Sequence, residues 1–260
     1  MTTTATTPAT TPASAAPMLR PGLHVVRRDD DHLQVGLDPP WRVVVPDDPG
    51  VRRLLADLGS GRPAAPTTAA AHRALAELTR SGMVAPAEPP VRGRAVSLRA
   101  TGPLRDEAVR VLRAAGCEAG PAGEVALVLA AGEVARRDVD VHVREGRPHL
   151  PVSAGPLGWT LGPFVVPGAS ACLRCVDAHR AEHDPRRALV VDQLAGRPAA
   201  PDDPALAAVA VSWAVRDVLT FLGGGEPSTW SATVELGADL RPRRRAWRRH
   251  AHCGCAWAQV

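Results

Sequence analysis

The sequence predicts an α/β protein in two parts. A small α+β domain spans residues 21–84, and a larger α/β domain on a parallel sheet spans residues 94–260. Three observations predict this. Three short β-branched runs precede two amphipathic helices in the first 84 residues. A Pro-rich stretch, Ala85–Gly93, then breaks the pattern as a linker. Beyond it a strand, a helix and a second, almost wholly apolar strand follow in β-α-β order.

In chain order, residues 1–20 (MTTTATTPATTPASAAPMLR) have neither the basic start nor the apolar core of a secretory signal, and are expected to form a disordered tail. LHVVRR, HLQVGLD and WRVVVP read as strands, separated by turns at Asp29–Asp31 and Asp38–Pro40. Asp47-Asp48-Pro49 caps a helix with Val51, Leu54, Leu55 and Leu58 at helical spacing, and Gly59 to Pro66 is expected to end it. Thr67 or Thr68 starts the next, in which His72, Leu75, Leu78 and Thr79 recur every three to four residues and Gly82 is the stop. A unit of about 60 residues sits near the lower limit for a self-sufficient core.

After the linker, RAVSLRA is a strand, residues Leu104 to Ala115 a helix stopped at Gly116, and EVALVLA a buried strand. VDVHV (Val139–Val143) and the stretch from Trp159 to Val166 are further strand expectations. Pro204–Leu222 is the clearest helix, with a stripe of Leu206, Val209, Trp213, Val215, Val218 and Leu222 ended by three glycines. WSATVEL and the Arg-rich run after Asp239 read as a hairpin that delivers the chain to HAHCGC.

Composition excludes several chemistries. The 260 residues contain no Lys, Asn, Ile or Tyr, so Arg alone carries the positive charge of a chain with net charge +4. A Schiff-base lysine and a P-loop lysine are therefore ruled out. Arg241 to Arg249 holds six arginines and no acid, which reads as a solvated strand pair or, alternatively, a surface for an anionic partner. The small domain's strands and helices would also fit a winged helix, but AAAHRALAELTR sets Arg73 and Arg80 against Glu77. That is too little for phosphate contacts, so nucleic acid is not an expected partner. No run of about 18 apolar residues is evident, so no membrane span is expected.

Four of the five cysteines fall into two close pairs. Cys172-Leu-Arg-Cys175 is a C-x-x-C and Cys253-Gly-Cys255 a C-x-C. Tetrahedral zinc takes four thiolates in such pairs, each delivered from one turn, with Gly254 allowing a tight bend between its two neighbours. A redox pair explains the first motif but not the second. The expected cofactor is thus one Zn2+, structural because four sulfurs leave no position for water. With no secretory signal, metal-type cysteine spacing points to a reducing cytoplasm. His179, His183, His250 and His252 read as surface or flanking groups, and Cys117 as a small core residue.

GPFVVPGASACLRCVDAHRAEHDP, with Gln193-Leu194 after it, resembles the zinc segment of ThiF-like proteins of thiazole/oxazole-modified peptide biosynthesis, relatives of ubiquitin-activating enzymes. Gly162, Pro163, Pro167, Gly168, Cys172, Leu173, Cys175, His179, Arg180, Asp184 and Pro185 carry the match, and the C-x-C completes it. The order of elements before Val84 is similar to the PqqD-like, winged-helix-like recognition module fused to such proteins. The resemblance implies a trimmed Rossmann-like ThiF-type domain behind a module that binds the leader of a ribosomally made precursor peptide. It also implies a YcaO-type cyclodehydratase as partner, which converts Cys, Ser or Thr to azolines. In that scheme the leader adds as a strand to Arg42, Val43, Val44 and Val45, and the helix bearing Arg73, Ala74, Leu75, Glu77 and Leu78 forms the far wall of the groove. A homodimer is left open. Adenylating relatives need a Gly-rich loop, a Lys and an Asn. Here Val96–Pro103 has one Gly and the other two residue types are absent, so this chain is expected to be non-catalytic rather than a divergent adenylyltransferase.

Overall fold

Asp48, Thr68 and Asp203, short polar residues just before apolar runs, set the starts of three helices of this protein. The computed structural model describes residues 17–86, 91–199 and 203–256, and the chain divides into two compact units, residues 1–88 and 89–260. Unit 1 comprises β1 (Pro17–Leu19), β2 (Val25–Arg27), β3 (His32–Val35), β4 (Val43–Pro46), α1 (Pro49–Ser60), α2 (Ala69–Arg80) and β5 (Val84–Pro86). The Asp48 carboxylate accepts from the amides of Gly50 (2.8 Å) and Val51 (3.3 Å), and Thr68 accepts from Ala71 N. The Thr68 hydroxyl also donates to Asp48, tying the two helix starts together. Inside the expected break from Gly59 to Pro66, α1 runs to Ser60 and ends on Gly61, whose φ of 70° is the left-handed cap that glycine favours.

Strands β2, β3 and β4 form an antiparallel meander, with Leu33 opposite Val45 and Val35 opposite Val43. Val35, Val43 and Val45 pack with Val51, Leu54, Leu58, Leu78 and Met83 in one core. A second, two-stranded sheet pairs β1 with β5 antiparallel, Leu19 opposite Val84. This corrects two expectations: residues 17–19 of the supposed tail and 85–86 of the supposed linker are strand. The rest of the tail (1–16), residue 20 apart, and linker residues 87–90 lie outside the described residues.

Unit 2 contains β6 (Ala95–Arg99), α3 (Gly102–Ala114), β7 (Glu118–Gly120), β8 (Val125–Ala130), α4 (Arg136–Arg144), β9 (His149–Gly155) and β10 (Gly158–Leu161). It continues with α5 (Leu173–Ala181), α6 (Arg187–Leu194), α7 (Pro204–Leu222), β11 (Ala232–Gly237), β12 (Pro242–Ala246) and a 3₁₀ turn at Gly254–Ala256. One seven-stranded sheet runs β12-β11-β10-β9-β8-β6-β7. Pairing is parallel from β7 to β9 and antiparallel from β9 to β12. The near-continuous apolar character of β8 has a physical cause: both faces are covered. Leu127 and Leu129 join the main core with α3 and α7, while Val128 packs with Val134 and Val139 on the α4 side.

The expected strand over Val139–Val143 is in fact the second half of α4. Valines at 139, 141 and 143 mimic a strand's alternation, but the buried face is Arg136, Val139 and His142, spaced by threes. The Trp159–Val166 stretch is strand only as far as Leu161; Phe164 and Val165 make isolated bridges to Trp230 and His149. Helix α7 is long and apolar enough to cross a membrane by length and composition, with mean hydropathy 1.6, which the sequence reading missed. Half of that window is buried within unit 2, where Ala210, Val211, Ala214, Val215 and Val218 join the main core.

Candidate functional site

Helix α5 begins one residue after Cys172, so its first turn presents Cys172 at the cap position and Cys175 beside it. Cys253 and Cys255 arrive from the C-terminal segment, on either side of Gly254 in the 3₁₀ turn. All four are buried, at 4%, 0%, 6% and 8% exposure, and all are free thiols. Their sulfurs lie 3.7 Å (172–175), 3.6 Å (172–253) and 3.4 Å (175–255) apart. A tetrahedral zinc with bonds of about 2.3 Å separates its sulfurs by about 3.8 Å, whereas a disulfide needs about 2.05 Å. The donor set and spacing therefore fit one metal ion held by four thiolates.

The electrostatics of the bare thiols point the same way. A hydrogen bond to Cys175, followed by burial, pushes the Cys172 thiol up. Burial, then hydrogen bonds to Cys175 and Cys253, push Cys255 up to about 12. Cys175, accepting from Cys172, falls to about 4. Four sulfurs this close cannot all ionise unless a cation sits among them. Val165, Ala171, Val176 and Trp247 enclose the cluster, and the Arg249 guanidinium donates to Gly168 O at 2.6 Å, fastening the tail. Gly254 is not needed for the bend. Its φ is not in the left-handed region, and a Cβ there meets nothing within 4 Å.

Sequence reasoning missed Arg136. This residue is 5% exposed in the first turn of α4, and its guanidinium donates to both Asp177 oxygens (2.5 and 2.8 Å), to Glu133 (2.8 Å) and to Val134 O (2.6 Å). Asp177 lies on α5 between Cys175 and His179, so the pair fixes the helix that carries two metal ligands. Partners 41 residues apart leave no local signal.

In unit 1, β4 is bonded to β3 alone among the described residues, so it is an edge strand, with α2 packed beside it. The expected groove residues divide. Val43, Val45, Ala74 and Leu78 are core, at 0–2% exposure. Arg42, Arg73 and Glu77 are exposed, while Val44 and Leu75 are half-buried. Only the latter five are placed to meet a ligand without repacking.

The parallel strands of unit 2 point their carboxyl ends at a cavity of about 770 Å³, lined by Thr101, Leu104, Ala154, Trp159, Leu206 and Val211 among others. Among the described residues its ionisable lining is Glu107 and Asp203, with no arginine. In open α/β folds this is where nucleotides bind. Here a phosphate would meet two carboxylates and no cation, and the preceding loop has the single glycine Gly102.

No protein-family model matches the chain, and no curated protein matches it in sequence. Solved structures do match. A heterocyclase in complex with substrate and cofactor superposes with a TM-score of 0.66 over 94% of this chain and 39% of its own, at 13% identity. The heterocyclase TruD gives 0.67 over 93% and 42%, at 15% identity. E. coli MccB with MccA gives 0.59 over 92% and 99%, at 11% identity. The chain thus spans about two fifths of the length of the two heterocyclases. At these identities the likeness is one of fold: this chain has the mixed α/β architecture found in TruD and MccB.

Proposed function

We propose that this protein takes part in the modification of ribosomally made peptides. It binds the leader of a precursor and presents it to a YcaO-type cyclodehydratase for azoline formation, without catalysing the reaction itself. The observation that carries the reading is the open outer edge of β4 beside α2, where an extended peptide gains main-chain hydrogen bonds while Arg42, Val44, Arg73, Leu75 and Glu77 select its side chains. The fold likeness to heterocyclases and the ThiF-like zinc segment support it. The cation-free cavity and the missing Lys and Asn argue against adenylation by this chain.

The test uses the full chain, a Cys/Ser/Thr-rich precursor peptide with its leader, and a YcaO-type enzyme. Leader binding by calorimetry is expected at micromolar affinity or better, and loss of precursor water in mass spectra should require both proteins. Steady ATP–pyrophosphate exchange by this chain alone would overturn the non-catalytic reading, and absence of leader binding would overturn the presenting one.

A further inference from the structure

The segment that brings Cys253 and Cys255 to the start of α5 also touches the other end of that helix. His179 in the last turn of α5 faces the backbone of Arg248, and Glu182, just past the helix, faces His250. The segment therefore runs antiparallel to α5 and meets it twice. At the second meeting, His250 Nε2 lies 3.0 Å from a Glu182 carboxylate oxygen and His179 Nδ1 lies 3.7 Å from the same oxygen. The two imidazoles stand edge to face at 4.7 Å, and all three donor atoms lie within 4.8 Å of one another.

Neighbouring ligands on a tetrahedral ion with bonds of about 2.1 Å are about 3.4 Å apart, so the two measured separations bracket the requirement. The tautomers can be assigned. Arg248 O only accepts, so the 3.0 Å contact puts the His179 proton on Nε2 and leaves the Nδ1 lone pair facing Glu182. A ligating histidine with its other N–H on a backbone carbonyl is the usual support for a metal site. His250 Nδ1 accepts from His252 N at 3.2 Å, so its proton sits on Nε2 in the metal-free state. Binding moves that proton to Nδ1 and gives up the longer contact. The His250 side chain is 12% exposed and Glu182 56%, so the group is anchored on one side and open to water on the other.

We propose that His179, Glu182 and His250 form a second metal site, for an exchangeable divalent transition ion such as Zn2+ or Ni2+, with water in the remaining coordination positions. Two imidazoles and a carboxylate suit these borderline ions. The thiolate site is closed and structural. This one is open, and its occupancy follows the free-metal concentration and closes the second clasp between the tail and α5.

The test is metal stoichiometry and calorimetry on the full chain, first loaded with zinc and desalted, then titrated with Ni2+. One equivalent of heat is expected beyond the retained zinc. Glu182→Gln, His179→Ala and His250→Ala should each weaken that binding by at least about tenfold, while the zinc content before titration stays unchanged. His183→Ala should leave the heat intact. Absence of heat in the wild type overturns the proposal, as does a second equivalent that survives in Glu182→Gln and His179→Ala.

Discussion

The two main sheets end in opposite ways. In unit 1 the outer strands β4 and β2 carry valines: Val44 is half-buried, and Val25 and Val26 are 38% and 49% exposed. In unit 2 the edge strand β12 begins with a proline and continues with three exposed arginines. Arg244 donates to Ser228 O and Arg245 lies over the Trp247 ring at 4.2 Å. An edge of free backbone groups beside apolar side chains invites another strand, whereas a run of charged side chains discourages one. The difference teaches that pairing is available in unit 1, while unit 2 guards its β12 edge with charge and holds its Cys253–Cys255 segment by buried thiols.

The largest expected effect tests that hold on the segment. Cys172→Ser, or a strong chelator, removes the thiolate site and should destabilise unit 2 by about 3 kcal/mol or more, a fall in Tm of about 10 °C read by calorimetry. Unit 1 contains no cysteine and contributes no ligand. An unchanged melting profile in chelator would break the comparison.

The next effect comes from His149 at the start of β9. It is fully buried, its Nδ1–H donates to Arg147 O at 3.0 Å, and its Nε2 has no partner among the described residues. Burial holds its pKa down to about 4, with His142 (5.5 Å between rings), Asp140 and Arg147 as the surrounding titratable groups. The unfolded chain, titrating near 6.5, therefore takes up a proton first as the pH falls. This residue's contribution is complete above about pH 6.5 and is lost towards pH 4, about 3 kcal/mol in all. Urea unfolding of wild type and His149→Phe at pH 7.5 and 4.5 should show the difference. Metal release in acid acts on both chains and cancels.

Third, Val44→Pro should weaken leader binding about tenfold by removing an edge donor, while Arg244→Pro on β12 leaves it unchanged. Equal effects would erase the distinction between the edges. Smallest is Gly254→Ala, which should alter stability by less than about 0.5 kcal/mol, since nothing crowds the missing Cβ.

These outcomes bear on what the sequence could disclose. Helix α7 was legible to the residue because its start, Asp203-Pro204, and its glycine stop are local signals. The four cysteines were legible because thiols at close spacing have few other uses. Other features were hidden by geometry. β1 and β5 are three residues each and exist only by pairing across more than 60 residues of chain. α4 was misread because valines at every second position also fit a helix whose buried face is set by Arg136 and His142. The Arg136–Asp177 pair and the His179–Glu182–His250 group join residues that only the folded chain brings together. Of the expected groove, the sequence identified the elements but could not separate contact residues from core, because burial at Ala74 and Leu78 depends on what α2 packs against.

The pairing of β1 with β5 carries a further consequence. It places the points where the chain joins unit 1 and leaves it side by side, Leu19 opposite Val84. A module with adjacent ends can be spliced into a surface loop of an unrelated host, or its ends joined and new termini opened elsewhere, without stretching its core. Unit 1 thus has the end geometry of a portable cassette, one whose edge strand a graft would carry to a new scaffold.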